Sequence, residues 1–86
     1  MIQNTRNGWL TMTLNQIRVL NDMLAAARLL REKAAEHRTT PMFLKDLKSF
    51  SFTMQADDEM IAKWGITRAQ HKEVLATAFQ KLKADQ

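Results

Sequence analysis

Many side chains of this 86-residue chain ionise, but few are spaced for chemistry. His37 and His71 stand far apart, and neither has a second His four residues away to complete a helical metal pair. Glu32 and Glu36 are one helical turn apart, as a carboxylate pair could be, but ordinary surface charges surround them and they read as a solvated face. The chain has no Cys, which removes thiolate metal sites, disulfides and a thiol nucleophile. Gly8 and Gly65 are its two glycines, so neither a phosphate-cradling loop nor a dinucleotide fingerprint can be built. No enzymatic activity, metal or cofactor is expected. What remains is recognition. Thirteen Lys and Arg against nine Asp and Glu give a net charge of +4, a lean towards acidic partners that does not by itself name nucleic acid.

The elements that must position these groups are helical. Two Gly and one Pro leave little material for the tight turns of an all-β fold. Residues 1–12 read as a flexible arm and residues 13–86 as a single helical domain. Thr13 and Gln16 form a capping box, from which a long helix should run to about His37. Its apolar stripe, Ile17, Leu20, Leu24, Ala27 and Ala34, widened by Val19, Met23 and Leu30, continues onto Arg31 and Arg38. Thr40 as cap and Pro41 at the first helical position open a short helix to about Ser49. Residues 50–54 then alternate with a strand period, as do residues 10–14. A minor β-ribbon from residues 9–14 and 50–54 is one expectation, an extended linker the other. Asp57, Asp58 and Glu59 open another short helix, which closes at Trp64 with Gly65 as a left-handed cap. Thr67 and Gln70 form a second capping box, and a last helix runs to about Ala84 along Val74, Leu75, Ala78, Phe79 and Leu82. The expected fold is all-α, a small bundle of about four helices ordered long, short, short, long. A chain this small buries little core, so a homodimer is expected. No apolar segment of membrane-spanning length and no secretory-type apolar run stand out, and a cytoplasmic protein is the expectation.

Between Asp57 and Leu75 lies the one suggestive motif, helix, Gly65, helix, followed by Thr67, Arg68, Gln70 and Lys72. This segment resembles the helix-turn-helix of bacterial or phage regulators, with Met60, Trp64, Ile66 and Val74 at that family's core positions. It departs from the pattern at Ile61, where a small residue is usual, and at His71, where an apolar one is. The resemblance implies that the second helix enters the major groove and that the protein regulates transcription. Thr67, Arg68 and Gln70 would read bases, while Lys63 and Lys72 would meet phosphates.

The charge map points elsewhere. Residues 1–38 hold six cations and three carboxylates, but residues 57–86 hold five of each. The reader is therefore neutral, and duplex affinity depends on neutralising phosphates. Two readings follow. One is a small non-enzymatic regulator that binds DNA as a dimer. The other is a helical protein-binding module, an inhibitor, adaptor or assembly partner that is phage- or plasmid-encoded and acts on a larger protein. Trp9, Arg31, Arg38, Gln70 and Glu73 would carry that second role. Each also has a plainer reading: Arg31 and Arg38 as snorkelling side chains, His71 and the tryptophans as packing residues, and the six methionines as gap-fillers.

Overall fold

The computed structural model describes residues 12–85, which form four α-helices and no strand. Helix α1 spans Leu14–Glu36, α2 Leu47–Thr53, α3 Asp58–Lys63 and α4 Arg68–Ala84, with a 3-10 turn at Met42–Leu44. Both long helices start on the expected capping boxes. Thr13 accepts from the Gln16 amide at 3.1 Å, and Thr67 accepts from the Gln70 amide at 3.0 Å. In return each Gln side chain accepts from its cap's N–H at 2.9 Å. Among the described residues no helix is long and apolar enough to cross a membrane. Residues 1–11, with Trp9 and most of the expected arm, lie outside the described residues. Met12, placed in that arm, packs against the core.

Two sequence expectations fail in the middle of the chain. Residues 50–53 are neither strand nor linker but belong to α2, so there is no ribbon with residues 12–14, where Thr13 caps α1 and Leu14 begins it. Asp46 decides this locally, because its carboxylate accepts from the Ser49 amide at 2.8 Å and opens a helix. That bond also holds the Asp46 carboxyl below its ordinary range. The short helix expected from Pro41 to Ser49 is split into the 3-10 turn and the start of α2. Pro41 stays extended at ψ 131°, with no side-chain cap from Thr40.

The long helices α1 and α4 lie side by side and parallel. Near their starts, Gln16 bonds to Gln70 and Glu73. Further along, Arg28 in the second half of α1 bonds at 2.9 Å to Asp85, just past the end of α4. Parallel neighbours cannot be joined by a tight turn, so residues 37–67 return the chain along the pair and supply its third side. The core between them holds Val19, Leu20, Leu24, Ala27, Phe50, Val74, Leu75, Ala78 and Leu82. Phe50 is its centre, with Phe43 at 6.1 Å and Phe79 at 5.7 Å between ring centroids.

α1 and α3 end in the same turn, built from different residues. After α3, Gly65 adopts φ 72°, its N–H bonds to Ala62, and the Ile66 N–H bonds back to Ile61. After α1, Arg38 adopts φ 56°, its N–H bonds to Ala35, and the Thr39 N–H bonds to Ala34. Glycine holds this conformation without strain, whereas a side chain costs about 1 kcal/mol.

Candidate functional site

The corner expected to read DNA forms, and it is tied down from two sides. Asp57 caps α3 through the Met60 amide at 2.8 Å. Ile61 and Ile66 bury themselves across the Gly65 turn. Asn15, from the first turn of α1, donates to the Gly65 carbonyl at 3.3 Å. Gln16 goes deeper. It is 2% exposed, and its amide donates to the Gln70 carbonyl at 3.2 Å and to the Glu73 carboxylate at 3.1 Å. With its oxygen taken by the Thr13 N–H, it is a satisfied polar bolt between α1 and α4. Sequence reasoning used Gln16 only as a cap. The missed signal was its place four residues before Leu20, on the buried stripe of α1.

The five residues expected to read DNA are near one another in the chain but are differently engaged. Thr67 and Gln70 spend their hydroxyl and amide oxygens on the capping box. Arg68 folds back over the corner, donating to the Ala56 carbonyl at 2.7 Å and to the Asp58 carboxylate. Lys63 and Lys72 are exposed. From Asp57 to Glu73 there are three cations against four carboxylates. The face therefore starts with a slight negative balance and its one Arg is paired.

The residues assigned to protein capture are not brought together. Trp9 lies outside the described residues. Gln70 and Glu73 meet Gln16 at the start of the parallel pair. Arg31 lies fifteen residues further along α1, about 22 Å away, and Arg38 lies beyond it. Arg31 lines a shallow concavity with Ala35, Thr39, Thr40, Pro41 and Leu44. Cations gather in this half. Residues 28–48 hold six Lys and Arg against three carboxylates.

A feature absent from the sequence reading is a cleft of about 250 Å³ between α1, the end of α2 and Trp64. Val19, Met23, Met54 and Trp64 supply its apolar lining, and Asp22, Thr53 and Gln55 its polar groups. Phe52, beside it in sequence, is 73% exposed. Among the described residues no three His, Asp or Glu side chains gather where they could hold a metal ion.

His71 sits under this region, 2% exposed and stacked on the Trp64 ring at 5.9 Å. Its Nε2 has no hydrogen-bond partner, and burial, aided by the Arg68 charge, pushes its pKa below the ordinary 6.5. The unfolded chain therefore takes up this proton before the folded one does. Stability should be full above about pH 7 and fall as the pH drops through the ordinary His range. The Asp46 contribution is lost only below its ordinary 3.8, so the two windows are separate. Urea midpoints measured from pH 8 to 5 should decline for the native chain and stay level for His71→Phe. A flat native profile would contradict the assignment.

Compared with known proteins, the chain matches no family model, no curated protein and no solved structure.

Proposed function

We propose that this chain is a small non-enzymatic protein-binding module whose cleft takes an apolar anchor side chain from a segment of a larger protein. The observation that carries the reading is the cleft walled by Met23, Met54, Val19 and Trp64. At about 250 Å³ it falls below the usual range for cofactor and drug-sized ligand sites, but it has room for a large side chain. Thioethers adapt to irregular apolar shapes, and the indole gives them a rigid wall. Among the described residues Asp22 is the one ionisable side chain of the lining, so the preferred segment carries Lys or Arg beside its apolar anchor. Phe52, which precedes the lining residues Thr53 and Met54 in sequence, adds an exposed aromatic of the kind that anchors interfaces.

The DNA reading has one observation in its favour, the exposure of Arg68, Ala69 and Lys72 near the start of α4. Against it stand the pairing of Arg68 with Asp58 and the surplus of carboxylates at the corner.

The test captures a partner on the immobilised full chain, purifies it and titrates it against the native chain and Met54→Lys. A lysine in the cleft wall opposes both apolar filling and the expected cation, so affinity should fall about tenfold or more. Equal affinity would overturn the cleft. A low-salt gel shift on duplex DNA runs beside it. Retention that is abolished by Arg68→Ala would replace protein capture with DNA binding.

A further inference from the structure

Beyond Ala27, α1 has no buried residue, yet it carries Leu29 and Leu30 at 58% and 44% exposure. At about 100° per residue, Asp22, Ala26, Leu29 and Lys33 form one stripe in steps of four, three and four. All four are exposed. The stripe points away from α4, which meets the other side of α1 at Leu24 and Arg28. Neither Asp22 nor Lys33 makes an ion pair with a described residue.

The stripe is self-complementary. Its ends are a carboxylate and an ammonium, and its middle is one small and one large apolar side chain. The geometry points to a second copy of this chain as its occupant, with two α1 helices packed antiparallel about a two-fold axis between Ala27 and Arg28. That axis sets Asp22 of each copy against Lys33 of the other and seats Leu29 over the small Ala26, twice. These are the alternating layers of an antiparallel helix pair. A two-fold contact must use the same patch on both copies, and a stripe that matches its own reversal meets that demand. Leu30, on the flank of the stripe, comes level with the exposed Ala25 of the second copy. An unrelated partner would require no such matching of charge and size. The overlap of residues 19–36 is about 27 Å long, so the dimer belongs with small, concentration-dependent interfaces.

Charge exchange tests the pairing on the full chain. Sedimentation equilibrium from about 5 to about 500 μM should show the native 10.0 kDa chain passing from monomer to dimer. Asp22→Lys alone and Lys33→Asp alone each place like charges together twice, and each should raise the dissociation constant about tenfold or more. Mixed in equal amounts, these two variants should associate again, because the mixed pair restores both ion pairs. The chain carrying both exchanges should dimerise as the native one does. Circular dichroism confirms that every variant is helical. A native chain that stays monomeric, single variants that dimerise unchanged, or folded variants whose mixture fails to associate would each overturn the interface. Asp22 also lines the cleft, but Lys33 and Leu29 do not, so Lys33→Asp separates failure here from failure of partner capture, which Met54→Lys reports.

Discussion

Phe50→Ala should cost about 3–5 kcal/mol in a denaturant titration, and Phe52→Ser within about 0.5 kcal/mol of nothing. The two rings stand two residues apart and would share a face on a strand. On α2 they part: Phe50 is 0% exposed between Phe43 and Phe79, and Phe52 is 73% exposed. Removing Phe50 empties the centre of the core, where α1, α4 and the returning segment meet. Removing Phe52 leaves the core intact and alters only the exposed surface of α2. Equal effects from the two changes would contradict a helical α2. The contrast also protects the functional test, because loss of partner capture in Phe52→Ser could not then be blamed on unfolding.

Gln16→Ala should cost about 2–4 kcal/mol, more than any exposed cap. It deletes one capping-box member and leaves the Thr13 N–H without its acceptor. It also leaves the Gln70 carbonyl and the Glu73 carboxylate without the Gln16 amide. Gln16→Glu separates the terms. It keeps the volume and the cap acceptor but sets a second carboxylate against Glu73, so it should be strongly destabilised at neutral pH. Acidification, which protonates one of the pair, should narrow its deficit relative to the native chain. Urea midpoints of both variants at pH 7 and at about pH 5 give the comparison. A Gln16→Ala change costing no more than an exposed cap, about 1 kcal/mol, would deny the bolt between the helices.

Four features of the fold were legible in the residues because their causes are local. Thr13 with Gln16, and Thr67 with Gln70, satisfy free amides within one turn, so both long helices begin where those residues stand. Asp57 and Gly65 bound α3 for the same kind of reason. Residues 50–54 misled because five alternating residues also fit a helix, and only the Asp46 cap and the burial of Phe50 choose between them. Arg38 was missed as a left-handed turn because Arg rarely adopts that conformation, so its type gave no signal.

The candidate site was less legible, because its parts come from distant stretches of chain. The types and order of Thr67, Arg68, Gln70 and Lys72 could be read directly, but the pairing of Arg68 with Asp58 depends on how α3 turns into α4. The cleft joins Val19 and Met23 to Met54 and Trp64, and no spacing along the chain announces that neighbourhood.

By itself the sequence determined an all-α fold class, the start of each long helix, the Gly65 turn and the absence of thiol and phosphate-loop chemistry. These follow from hydrogen bonds and backbone preferences that act within a few residues. Tertiary structure alone decided that α1 and α4 run parallel, that Gln16 is a bolt, that Phe50 and Phe52 part company and that Arg68 is engaged at its own corner. Each depends on burial and charge pairing between residues far apart in sequence, and those energies exist only once the helices have met.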